Sequence, residues 1–183
     1  DIDYFYDKEY LLHLLNRVHD LPKYEIDDTE PPRINIICPA FDVTTISAGF
    51  YGVFAFTKLC ALCGIKTRII LCDKFIYDKR LFNEALKKAN WLSDLLELVE
   101  VLYVGDRSIV TKFSKNDILV ATVWYTAYFA KDVHQHLNNK KFIYLIQDYE
   151  CNFYPSNSAY VLAKATYDFN YVGWYSTKLL SDY

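Results

Sequence analysis

The chain of 183 residues is long enough for one domain with a core of ordinary size and too short for two. Hydrophobic residues make up 52% and aromatics 17%, with 17 Tyr and 12 Phe, which excludes a disordered chain. Net charge is −3 and the basic residues are scattered, so the basic footprint of a nucleic-acid binder is missing.

The longest apolar stretch, Ile118 to Ala130, falls short of the ~20 residues that span a bilayer, and the start carries no signal-peptide pattern. The expectation is a cytoplasmic domain, at most peripheral on a membrane. The sequence has no Met, starts at Asp1 and stops at Asp182-Tyr183 inside a helical pattern, which reads as a segment of a longer protein. Cys38, Cys60, Cys63, Cys72 and Cys151 are odd in number and sit mostly in apolar runs, as buried free thiols of a reducing compartment do. Cys60 and Cys63 have CxxC spacing, but without a second pair and inside a helical pattern, so no metal is indicated.

In chain order, Asp3 to Leu21 carries apolar residues near helical spacing and is stopped by Pro22; Lys23 to Pro32 is acidic, ends in Pro-Pro and reads as a linker. Residues 1–32 are therefore an amphipathic helix plus linker, and 33–183 the domain proper. Ile34 to Cys38 is a buried strand ended by Pro39. A loop from Ala40 to Gly49 leads into a helix with Phe50, Val53, Phe54, Thr57, Cys60 and Ala61 on one face, closing at Gly64. With the strand Lys66 to Cys72 this makes a βαβ unit. The Ala48-Gly49 end of that loop is a candidate phosphate cradle, because unpaired N–H groups and the helix dipole point there. No GxGxxG occurs, so a dinucleotide fingerprint is not supported.

A helix near Lys79 to Lys88, continuing toward Leu96, precedes a short strand, Glu100 to Val104, and a polar connector, Asp106 to Asn116. Ile118 to Val123 is β-branched and uncharged, as a central strand is. Trp124-Tyr125-Thr126 should end that strand, and the helix to Leu137 places His134 and His136 at its C-terminus, where the dipole favours them without catalysis. Phe142 to Ile146 shows no alternation and should be buried on both faces. It stops at Gln147, Asp148 and Glu150. A helix from Asn157 to Tyr167, a strand from Tyr171 to Tyr175 and a helix from Ser176 complete the alternation.

Alternating strands and helices predict an α/β fold, a Rossmann-like parallel sheet with helices on both faces. Ligands of such sheets bind beyond the carboxyl ends of the strands, which is where Gln147, Asp148 and Glu150 follow one strand and Trp124, Tyr125 and Thr126 another. Aromatic plates beside carboxylates and amides suit a sugar, whose C–H faces pack on rings while its hydroxyls donate to carboxylates. The competing structural readings make Gln147 and Asp148 strand-end or helix caps and the aromatics ordinary core.

Gln147-Asp148-Tyr149-Glu150, Phe153-Tyr154-Pro155, Tyr160 and Ala163-Lys164-Ala165-Thr166-Tyr167 resemble the N-terminal domain of WsaF-type bacterial rhamnosyltransferases, retaining enzymes with the two-domain GT-B fold. The resemblance runs from about Arg33 to the end of the chain. Where relatives have a Gly pair, this chain has Ala48-Gly49. The resemblance implies an acceptor-side domain whose partner, a C-terminal domain beyond this segment, holds a nucleotide-sugar such as dTDP-rhamnose, in bacterial surface polysaccharide synthesis. It implies no cofactor. On this reading Asp148 or Glu150 accepts from acceptor hydroxyls or removes the proton of the attacking one; Trp124, Tyr125, Thr126, Gln147 and Tyr154 bind the acceptor glycan; and Ala48 and Gly49 approach the donor diphosphate. A non-catalytic glycan-binding module and a nucleotide-dependent oxidoreductase, for which Asp73 is suitably placed, are the other classes.

Overall fold

The computed structural model describes residues 8–39, 48–73, 78–88 and 90–183. The secondary elements run α1 (Lys8–His19), β1 (Lys23–Ile26), β2 (Ile34–Cys38), α2 (Ala48–Leu62), β3 (Thr67–Leu71), α3 (Lys79–Lys87), α4 (Leu95–Leu98), β4 (Glu100–Tyr103), β5 (Val110–Phe113), β6 (Ile118–Ala121), α5 (Trp124–His134), β7 (Phe142–Ile146), α6 (Ser158–Ala165), β8 (Tyr171–Tyr175) and α7 (Lys178–Asp182). Six strands form one sheet in the order β4-β3-β2-β6-β7-β8, every pair parallel. Counted along the chain within that sheet, this is the doubly wound order 3-2-1-4-5-6, which reverses between β2 and β6 and opens a crevice at their carboxyl ends. The predicted Rossmann-like α/β sheet is therefore the observed fold.

Both faces are covered. Ile36, Cys38, Ile69, Leu71 and Val120 pack under α2, α3 and α4 through Val53, Phe54, Phe82, Leu86 and Leu95. On the other face Ile37, Ile70, Ala121, Phe142, Tyr144 and Ile146 meet Phe129, Ala130 and Val133 of α5 and Phe113 of β5. A third cluster joins α1 to the end of the sheet through Leu14, Trp124, Cys151, Ala159 and Ala163. Gly64, at φ 78°, closes α2 in the left-handed conformation that a residue without Cβ adopts freely.

Several expectations change. The stretch taken as a linker holds β1, and the stretch taken as a connector holds β5; the two pair in parallel as a separate ribbon, Lys23 opposite Val110 through Ile26 opposite Phe113. Each strand has four residues with alternating exposure, too short and too charged to stand out as an apolar run. Arg68 ties the ribbon to the sheet: 3% exposed, it donates to Asn35 Oδ1 (2.8 Å) and to the Lys112 carbonyl (2.9 Å), and lies over the Phe113 ring. β7 alternates buried with half-buried residues rather than being buried on both faces. The helix expected to run on toward Leu96 breaks at Lys87. Among the cysteines Cys63 is exposed, while Cys38, Cys60, Cys72 and Cys151 are buried, and all five are free thiols.

Candidate functional site

The segment after β7 sits at the carboxyl edge of the sheet and is pinned from both sides. Ser176, just past β8, donates its N–H to the Ile146 carbonyl (3.0 Å) and its hydroxyl to the Gln147 carbonyl (3.0 Å). From the other side Tyr167 accepts the Glu150 N–H (3.1 Å) and donates to the Asp148 carbonyl (3.3 Å). The two carboxylates then part company. Asp148 is exposed, with Oδ1 accepting only the adjacent Tyr149 N–H (2.8 Å) among its described bonds. At Glu150 the chain turns into a 3-10 helix, Glu150–Phe153, which swings that side chain inward.

Glu150 Oε2 accepts the N–H of Trp124, the first residue of α5, at 2.6 Å and the Tyr144 hydroxyl at 3.3 Å. The carboxyl thus occupies the N-terminus of α5, where backbone donors and the dipole favour negative charge. Burial opposes ionisation and wins, pushing its pKa from 4.5 up to about 7 against the two hydrogen bonds, with the Asp148 charge adding to the rise. Because the folded value lies above the unfolded one, the folded state holds more protons between them and stability falls as pH rises from 4.5 through about 7. Glu150→Gln, neutral and of the same shape, is expected to match the wild type in denaturant titrations at pH 4.5 and to exceed it at pH 8. The gain is on the order of 2 kcal/mol, below full conversion of the shift because the residue keeps some solvent contact. An equal effect at both pH values would mean that Glu150 is not a buried acid.

On the other side of the crevice, Gly49 lies in the first turn of α2, so the predicted Ala48-Gly49 cradle is the helix end itself; Ala40 to Ser47 of the predicted loop and its Ser/Thr residues lie outside the described residues. A Cβ on Gly49 would stand 1.8 Å from Gln147 Oε1 and 3.0 Å from its Cδ. The first turn of α2 therefore touches the Gln147-Asp148 segment. That turn carries no acidic side chain, unlike the N-terminus of α5, which has Glu150 in place. Gly49→Ala is expected to leave stability within about 1 kcal/mol, since alanine also favours the helix. Displacing the Gln147 amide should weaken acceptor binding five- to tenfold, the equivalent of about one hydrogen bond. Calorimetry with an acceptor sugar reads this directly, and an unchanged Kd would remove Gln147 from the site.

The remaining expected site residues turn inward. Trp124 is 1% exposed, packs on Leu14, Cys151, Ala159 and Ala163, and donates its indole N–H to the Tyr154 hydroxyl (3.0 Å), so it presents no face to a sugar. Thr126 is buried; its hydroxyl accepts from the Thr122 and Val123 N–H groups (3.0 and 3.1 Å) and donates to the Val123 carbonyl, fastening the start of α5. Tyr125 has its ring face covered by the Arg17 guanidinium at 4.5 Å. The same arginine pairs with Asp73 at 2.9 Å; Asp73 is 5% exposed, so the acid that would hold a ribose in an oxidoreductase is already engaged. Among the described residues no group of three or more His, Cys, Asp or Glu converges as metal ligands do, and no helix is long and apolar enough to cross a membrane.

Gln147 and Asp148 instead face a groove of about 350 Å³ whose other walls are Tyr149 and Asn152 on the β7 side and Ser176, Thr177 and Leu180 on the β8 side. Sequence reading missed these partners, although Ser176-Thr177 follows the strand beside β7 and so had to reach the same edge. The family model described as WsaF, N-terminal domain, matches residues 33–172. The chain belongs to the WsaF N-terminal domain family. The match begins just before β2 and ends within β8, so it includes the whole Gln147 to Glu150 segment, Gly49, Trp124 and Tyr154. No curated protein sequence matches the chain. Membership of the WsaF N-terminal family gives the chain a glycosyltransferase-related character.

Proposed function

We propose that the chain is the acceptor-binding, N-terminal half of a retaining glycosyltransferase of GT-B architecture, a rhamnosyltransferase that uses a nucleotide-activated deoxysugar such as dTDP-rhamnose in bacterial surface polysaccharide synthesis. It would work in the cytoplasm, against the inner face of the membrane if its acceptor is lipid-borne. The contact between Gly49 and Gln147 carries this reading. It sets an unoccupied helix N-terminus, suited to a diphosphate, beside an exposed carboxylate suited to a sugar hydroxyl. A donor and an acceptor held at those two points would lie one sugar residue apart.

In the proposed transfer Asp148 accepts the proton of the attacking acceptor hydroxyl, whose oxygen bonds to the anomeric carbon as the nucleoside diphosphate departs with the bonding pair. The first turn of α2 lowers the cost of the charge arriving on that diphosphate. Glu150 would hold the N-terminus of α5 and the Asp148 segment in place rather than touch the substrate. A non-catalytic glycan-binding module would share the groove but would have no use for the α2 contact. The direct test incubates the full-length protein with dTDP-rhamnose and a rhamnose-terminated acceptor and follows the product by mass spectrometry. A mass gain of one deoxyhexose supports the reading, and its absence with acceptor still bound would favour the module.

A further inference from the structure

Next to the Asp148 groove lies a second cleft, of about 300 Å³, between the end of α6 and the outer strand β8. It shares Tyr149 and Leu180 with the first, so the two are continuous. Its walls are tyrosines: Tyr149, Tyr167, Tyr171 and Tyr175, with Lys164 and Asp168 exposed at the rim. The rings brace one another, Tyr149 stacked on Tyr167 at 5.1 Å and Tyr167 on Tyr144 at 6.1 Å, with Tyr171 edge-on to Tyr144 at 5.3 Å. Gly173 allows the Tyr175 ring to lie across the strand, for a Cβ there would be 2.5 to 2.7 Å from its ring and hydroxyl atoms. These are rigid amphipathic plates with few rotors to freeze on binding, the type of surface that stacks on pyranose rings.

We propose that this cleft is a second glycan subsite, which binds a neutral sugar residue of the acceptor next to the one presented to Asp148, so that the acceptor is an oligosaccharide rather than a single sugar. The inference rests on the acceptor reading of the first groove. One cation and one anion at the rim balance, which suits an uncharged polyol and gives no cluster of positive charge for a phosphate. Burial raises the pKa of Tyr167 and Tyr171, so these phenols stay neutral at physiological pH. Volumes of about 350 and 300 Å³ in one continuous trough lie in the range of small-molecule sites.

The test titrates the protein by NMR and calorimetry with methyl α-rhamnoside and with rhamnose di- and trisaccharides. The expected result is affinity that rises about tenfold from the monosaccharide to the trisaccharide. Gly173→Ala, which pushes the Tyr175 ring aside, and the exposed pair Lys164→Ala with Asp168→Ala should each cut this gain to less than threefold while leaving monosaccharide affinity unchanged. The rim pair has no packing role, so it answers the question even if Gly173→Ala unfolds the strand. Binding that is independent of length, yet weakened by Asp148→Asn, would overturn the second subsite and leave the acceptor groove standing. A length gain that survives the rim and Gly173 changes would also overturn it. Failure of every saccharide to bind would remove the acceptor reading and this subsite together.

Discussion

Asp148→Asn is expected to lower the rate of sugar transfer by about 10²–10⁴-fold, the range lost when a general base is removed, with the thermal midpoint unchanged. The side chain is exposed, and its hydrogen bond from the Tyr149 N–H can be kept by the asparagine oxygen, so little in the fold depends on the charge. The proton of the acceptor hydroxyl, by contrast, has no other exposed carboxylate at this strand end, since Glu150 is turned onto the N-terminus of α5. Glu150→Gln should therefore cost less than tenfold in kcat, because the glutamine can still accept from Trp124 and Tyr144. A larger loss from Glu150→Gln than from Asp148→Asn would reverse the two roles.

Trp124→Ala is expected to cost about 3–5 kcal/mol, enough to bring a domain of ordinary stability close to unfolding. The indole fills the junction at which α1, α5, α6 and the 3-10 turn after β7 meet, and its removal leaves a cavity lined by Leu14, Cys151, Ala159 and Ala163. Trp124→Phe retains most of the apolar volume but leaves the Tyr154 hydroxyl without its donor; it should cost about 1–2 kcal/mol. Urea titrations of both variants give the comparison. Losses below 1 kcal/mol for Trp124→Ala would mean that the indole is not a keystone of this junction and would reopen a ligand-facing role for it.

The main sheet was legible because β2, β3, β6 and β7 are apolar runs bounded by turn signals or charges, and the alternation of strand and helix fixes a parallel arrangement. β1 and β5 were not, since Lys-Tyr-Glu-Ile and Val-Thr-Lys-Phe each present one apolar side over four residues and are strands only because they find each other across the chain. At the site, Gln147 and Asp148 were placed at the right edge by the end of an apolar strand. Trp124, Tyr125 and Thr126 were assigned to that edge as a strand terminus, whereas α5 starts at Trp124 itself. What fixes that start is Glu150, 26 residues later, a long-range contact with no local signature. The separation of Asp148 from Glu150 was equally hidden: residues two apart share a face in an extended chain, and the 3-10 turn breaks that rule.

The most direct measurement is calorimetric titration of these 183 residues with dTDP and, separately, with a rhamnose trisaccharide. An acceptor-side domain should bind the glycan in an Asp148-dependent manner and hold the nucleotide only weakly, with a Kd in the millimolar range, since only the first turn of α2 would meet the diphosphate. Micromolar binding of dTDP by this chain, with no response to the glycan, would contradict that assignment and identify an independent nucleotide-binding domain instead.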